Sequence, residues 1–148
     1  MDILPAKLTD LNPLRKLEKI CFPQDAWPIF DLVAVLTFND VVRLKAMDDG
    51  QMIGFIAGDP RRSQGFSWIA TVAVLPEYQR KGVGSALLER CEAELSTPRV
   101  RLCVRTENLD AIRLYERNGY RVIDTWRRYY HDGGDALVME KRLFDDGL

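Results

Sequence analysis

The chain has 148 residues, 47% of them hydrophobic and 29% charged, with a formal net charge of −1. That length suits one domain able to bury about two-thirds of its unfolded surface, and the composition is that of an ordinary soluble globular protein. Near-neutral charge argues against a nucleic-acid partner, and no apolar run approaches the roughly twenty residues of a membrane span.

The start, Met1 to Lys7, lacks the apolar core and cleavage signal of a leader. Leu14, Leu17, Ile20 and Cys21 recur at helical spacing, which predicts a helix over Leu11–Cys21. Pro23 stops it, and a second helix is expected over Trp27–Phe38, beginning near Pro28. Val41–Ala46 and Met52–Ala57 read as strands joined by a hairpin turn at Asp48-Asp49-Gly50. Trp68–Leu75 reads as a further strand, ended by Pro76.

After a polar stretch and the glycines Gly82 and Gly84, a helical face is defined by Val83, Ala86, Leu87, Cys91 and Leu95. Val100, Leu102 and Val104 alternate inward along the next strand. Asn108 is the expected N-cap of the following helix, with Asp110 in its first turn and Gly119 at its end. Arg121–Tyr130 and Ala136–Lys141 complete the pattern as paired strands around Asp132-Gly133-Gly134. The order of strand, two helices, three strands, helix, strand, helix and two strands predicts a mixed α/β (α+β) domain over residues 1–148, mostly antiparallel. Cys21, Cys91 and Cys103 are too widely spaced for a metal pattern or a disulfide framework, so no metal and a reducing cytoplasmic setting are expected.

The passage from Val72 to Ala86 carries the most chemistry. A strand feeding a glycine turn that opens a helix leaves backbone N–H groups unpaired at the positive end of the helix dipole. Arg80 and Lys81 add two cations, so a phosphate or pyrophosphate is the expected ligand. A P-loop needs its lysine after the last glycine, and here Lys81 precedes Gly82. A dinucleotide fingerprint needs a third glycine and a later acid. What fits is Gln79-Arg80-Lys81-Gly82-Val83-Gly84-Ser85-Ala86, which resembles the Q/R-x-x-G-x-G/A loop of the GCN5-related N-acetyltransferases.

A second stretch, Val104 to Tyr120 with Asn108, Ala111-Ile112, Tyr115 and Gly119-Tyr120, is similar to the other half of that family's signature. Cys21-Phe22-Pro23, Arg127-Arg128-Tyr129-Tyr130 and Asp135-Ala136 further resemble the protein N-terminal acetyltransferases, the ribosomal-protein-alanine (RimI-type) group in particular. The resemblance implies acetyl-CoA as cosubstrate, with the backbone of Val72, Ala73 and Val74 pairing with its pantetheine arm. It implies the pyrophosphate on Arg80, Lys81, Gly82, Val83, Gly84 and Ser85, and a cofactor contact from Asn108. It further implies Phe22, Pro23, Tyr129 and Tyr130 around the substrate peptide, and Tyr115 as proton donor to the leaving thiolate. The acceptor it implies is a protein or peptide N-terminus, ribosomal proteins included, with the chain acting as a monomer or homodimer. Tyr129 and Tyr130, as neighbours on a strand, are expected to face opposite ways.

Cys103 departs from the family pattern, which places a glutamate general base there or, in some relatives, a histidine. A thiol with a reference pKa of about 8.5 is a poor replacement for a carboxylate base at neutral pH. A packed structural thiol is the plainer reading of Cys103. His131, Glu77 and Glu107 are the remaining candidates for a base. At pH 7.5 about a third of α-amines are neutral, against roughly one lysine in a thousand. A weak base therefore favours an α-amine acceptor. A small amine, such as a polyamine, amino acid or drug, and a non-catalytic acetyl-CoA-binding module are the alternatives.

Overall fold

The computed structural model describes residues 1–145. In chain order the elements are β1 (Asp2–Pro5), α1 (Leu11–Cys21), α2 (Ile29–Thr37), β2 (Val42–Asp48), β3 (Gln51–Arg61), β4 (Phe66–Val74), α3 (Val83–Leu95), β5 (Arg99–Arg105), α4 (Leu109–Arg117), β6 (Arg121–Trp126) and β7 (Ala136–Arg142). This is the element order predicted above. The seven strands form one sheet in the order β1-β2-β3-β4-β5-β7-β6. Every neighbouring pair is antiparallel except β4 and β5. No helix among the described residues is long and apolar enough to cross a membrane.

The β2–β3 hairpin turns on Asp49 and Gly50, both with positive φ (52° and 76°), as a two-residue turn between twisted strands requires. β3 is an interior strand and is buried on both faces from Met52 to Gly58. A Cβ on Gly54 or Gly58 would meet Leu87 and Val83, or Cys91 and Leu95, so α3 lies directly against that face. On the opposite face Ala57 pairs with Thr71, and Thr71 meets α1 at Glu18. The core is therefore two layers: α1 and α2 on one face of the sheet, α3 on the other.

One irregularity shapes the molecule. Ala57 pairs with Thr71, but Gly58 pairs with Ile69, so Ala70 is an extra, bulged residue of β4. The bulge reverses which residues face α3. Before it, Ser67 and Ile69 point that way, and Ser67 bonds Thr97 at 2.7 Å just beyond α3. After it, Val72 and Val74 do, since they pair with Ile56 and Gly54. β4 also bends here and parts from β5. Their parallel pairing covers only Phe66↔Arg99, Ser67↔Val100 and Trp68↔Arg101. Beyond Trp68 the two strands diverge, and the facing edges of Val72–Val74 and Leu102–Arg105 have no strand partner.

Two expectations need correction. The strand predicted over Arg121–Tyr130 ends at Trp126. Arg128 has φ 53° and its N–H donates to Asp135 Oδ1 at 3.0 Å, while Tyr130 N–H donates to Gly134 O, so residues 127–135 close on themselves as a loop. The tyrosine pair is thus not on a strand, and period-two alternation does not govern it. On α1 the buried stripe is Leu14, Leu17 and Glu18 with Cys21 partly covered, whereas Ile20 is 46% exposed. A carboxylate stands where the apolar pattern expected an aliphatic side chain.

Candidate active site

Beyond Trp68 the facing edges of β4 and β5 are unpaired, which leaves a gap in the sheet. On the α3 side the opening leads to the start of α3. Gly82 caps that helix in the left-handed region (φ 83°), which glycine enters without strain. No side chain caps the first turn, and the first intrahelical bond is from Ala86 N–H to Gly82 O. The N–H groups of Val83, Gly84 and Ser85 are therefore free to bind an anion. Arg80 (φ 63°) and Lys81 flank the turn with exposed cationic heads; Arg80 lies 3.6 Å from Asp110 and Lys81 sits over the Tyr78 ring.

The two glycines do different work. Gly82 has open space where a Cβ would stand, whereas a Cβ on Gly84 would come within 2.9 Å of Leu114. Gly84 lets α3 and α4 approach closely. The Ser85 hydroxyl accepts from Asn118 Nδ2 at 3.0 Å, at the far end of α4, and so couples the two helices at the same place. Asn108 is the N-cap of α4, as expected, with its Oδ1 accepting from Ala111 N–H at 3.2 Å.

Tyr115 is buried on α4, edge-on to Tyr120 at 6.0 Å between ring centres. Burial first, and the neighbouring Tyr130 second, hold its phenol above the usual range, so it is protonated at neutral pH. Its hydroxyl has no protein hydrogen-bond partner among the described residues, which leaves its proton available to a ligand.

On the α1/α2 side the opening leads into a cleft of about 970 Å³. Its walls are the α1–α2 loop (Gln24, Asp25, Ala26, Trp27), α2 and the β6–β7 loop with Tyr129, Tyr130 and His131. The bulged Ala70 is part of its lining, so the cleft reaches β4 where the strands part. A chain of rings reaches the cleft: Phe66 meets Trp68, Trp68 meets Trp126, Trp126 meets Tyr129 and Tyr129 meets Tyr130, at 5.0–5.9 Å between centres, and of these Tyr129 and Tyr130 line it. Tyr129 is exposed and Tyr130 half-buried, the latter with its phenol pushed up to about 12, chiefly by burial. Phe22 packs on the core, Pro23 is exposed, and neither lines the cleft; the residues immediately after them do.

Arg105 ties the two walls together. Its guanidinium donates to both oxygens of Asp25 at 2.6 and 2.8 Å, to Asp132 at 3.1 Å, and lies 4.2 Å from the centre of the Tyr130 ring. These partners raise its pKa further, so the cation is permanent. Sequence reasoning missed Arg105 and Asp25; the only hint was an acid three residues past Phe22 and a base at the end of β5.

Cys103 alternates with the inward Val100, Leu102 and Val104, and so faces the cleft side with Arg101 and Arg105. Burial pushes its thiol up to about 11. A thiol raised in this way is mostly protonated at neutral pH, which disfavours it as a base. His131 is exposed at the rim, and Glu107 lies 3.4 Å from Arg105.

Comparison with known proteins matches the model of the acetyltransferase (GNAT) family to residues 11–120. An N-alpha-acetyltransferase of Sulfurisphaera tokodaii is 31% identical, over 93% of this chain and 90% of its own. The crystal structure of the ribosomal-protein-S18-alanine N-acetyltransferase from Escherichia coli superposes with a TM-score of 0.85 at 27% identity, covering 99% of this chain and 97% of that one. NAA60 of Arabidopsis thaliana in complex with acetyl-CoA shares the fold, with a TM-score of 0.81 at 21% identity over 96% and 98% of the two chains.

Proposed function

The chain belongs to the acetyltransferase (GNAT) family, and we propose that it acetylates the α-amino group of a protein or peptide N-terminus, with acetyl-CoA as the donor. The observation that carries this reading is the parting of β4 from β5, with a helix start suited to an anion on one face and a cleft lined by Trp27, Phe38, Tyr129 and Tyr130 on the other. This arrangement suits a two-substrate reaction, in which donor and acceptor are held close together, here between the parted strands.

The residues fit the donor. The free N–H groups of Val83, Gly84 and Ser85, with Arg80 and Lys81, suit a pyrophosphate. The unpartnered edge of Val72–Val74 suits an amide-containing arm that pairs as a strand would. When bound, acetyl-CoA supplies a thioester carbonyl open to attack and a thiolate leaving group. Tyr115 offers its unshared O–H to that thiolate, and Asn108 holds the start of α4 so that Tyr115 is presented correctly. Arg105 links the two walls through Asp25 and Asp132.

The cleft fits the acceptor. A small amine would leave most of about 970 Å³ unfilled, whereas an extended peptide end occupies such a groove and lies along Tyr129 and Tyr130. Relatives named for N-alpha-acetylation and for a ribosomal-protein alanine support the same acceptor class. The decisive experiment is acetylation of a peptide panel varied in its first residues, with lysine side chains and polyamines as controls. Turnover of free N-termini well above both controls is expected; preferential turnover of polyamines or lysine would overturn the reading.

A further inference from the structure

The mechanism above leaves one buried ionisable group unused. Glu18 sits in the covered stripe of α1, 1% exposed, among Leu14, Leu17 and the core face of β4. Its Oε1 lies 3.5 Å from the Thr71 hydroxyl, and its Oε2 has no hydrogen-bond partner. No Lys, Arg or His pairs with it among the described residues. The titratable group beside it is Cys21, which gives its S–H to Val74 O and stays neutral, pushed up to about 11 chiefly by burial. An orphaned buried carboxyl oxygen is costly and calls for an explanation.

Its location supplies one. Thr71 directly follows Ala70, which lines the acceptor cleft. Counting on from the last parallel pair, Trp68↔Arg101, Ala70 comes opposite Cys103 across the opening. Thr71 and Cys103 both face the α1/α2 side. The family's carboxylate position on β5 holds a thiol disfavoured as a base, while a carboxyl stands behind the facing strand.

We propose that Glu18, working through the Thr71 hydroxyl, accepts the proton that the acceptor ammonium sheds before attack. This rests on the N-terminal acetyltransferase reading. The ammonium passes a proton to Thr71 Oγ1 as Thr71 passes its own to the Glu18 carboxylate. The amine nitrogen then has a free electron pair for the new N–C bond, and the C–S bond breaks with Tyr115 protonating the sulfur. Thr71 touches the amine, and Glu18 is the positioning residue behind it. Burial pushes Glu18 up to about 7, near the ~7.7–8.0 of an α-amine, so the transfer is nearly level in energy. The present 3.5 Å separation is long, as catalytic hydrogen bonds often are before substrate tightens them.

The test compares wild type with Glu18→Gln and Thr71→Val, following kcat with a peptide acceptor from about pH 6 to 9 and acetyl-CoA affinity by calorimetry. Both variants should lose at least about thirtyfold in kcat near pH 7 and recover as rising pH deprotonates the amine, with acetyl-CoA affinity unchanged. Losses of equal size at every pH, or kcat within threefold of wild type, would overturn the proposal. If Glu18→Gln does not fold, Thr71→Ser against Thr71→Val decides: only valine should show the pH-dependent loss, and equal rates overturn it.

A readout without turnover is the melting temperature. A carboxyl raised to about 7 keeps its proton in the fold where the unfolded chain has lost it. Wild-type stability relative to Glu18→Gln should thus fall as pH rises from about 5 to 7; a flat difference overturns the proposal. Wild type that binds acetyl-CoA but acetylates no peptide sinks the acceptor reading instead. The same comparison is then run with lysine and polyamine, and failure with every amine overturns both.

Discussion

The Arg105 guanidinium grips both carboxylate oxygens of Asp25, at 2.6 and 2.8 Å, across 80 residues of sequence. With Asp132 as its second acid, Arg105 joins the loop after α1 to the loop after β6. This pair bridges the two walls of the cleft. Replacing Arg105 with lysine removes the two-pronged geometry while keeping the charge. We expect KM for a peptide acceptor to rise about tenfold, with acetyl-CoA affinity unchanged by calorimetry. An unaltered KM would show that the walls are held elsewhere.

Tyr115→Phe removes the unshared hydroxyl from an otherwise packed ring. Positioned proton transfer is worth about a hundred- to ten-thousandfold. Steady-state kcat should fall by a factor in that range, while the melting temperature and acetyl-CoA binding hold. A kcat within threefold of the parent assigns Tyr115 to packing alone.

Cys103→Ala tests the opposite expectation. Burial pushes the folded thiol up to about 11, above its ordinary range, so it is expected to be neutral near pH 7. The pH profile of kcat/KM should keep its shape, and thiol-directed alkylation of Cys103 should be slow below about pH 9. Rapid labelling at neutral pH would contradict the burial argument.

The glycine loop separates into binding and packing. Arg80→Glu combined with Lys81→Glu should weaken acetyl-CoA at least tenfold at low salt, and the loss should shrink as salt screens these exposed charges. Gly84→Val instead drives a side chain toward Leu114, already 2.9 Å from a Cβ there, and should cost about 1–3 kcal/mol of stability. Chemical denaturation and calorimetry on the two proteins distinguish the effects.

Much of this protein was readable from local sequence, because local chemistry dictates it. The bounds of α1, the inward Val100-Leu102-Val104, the Asn108 cap and the uncapped glycine turn all follow from neighbours a few residues apart. The tertiary structure decided the rest. A bulge at Ala70 depends on how β4 pairs with β3, and it lies where β4 parts from β5. The end of β6 at Trp126 depends on Asp135 and Gly134 closing the loop that carries Tyr129 and Tyr130. Arg105 with Asp25, Gly84 with Leu114 and Glu18 with Thr71 are contacts between distant segments. Periodicity expected Ile20 on the buried stripe, but packing covered Glu18 and left Ile20 in solvent, because a stripe is chosen by the surface it meets as well as by its own pattern.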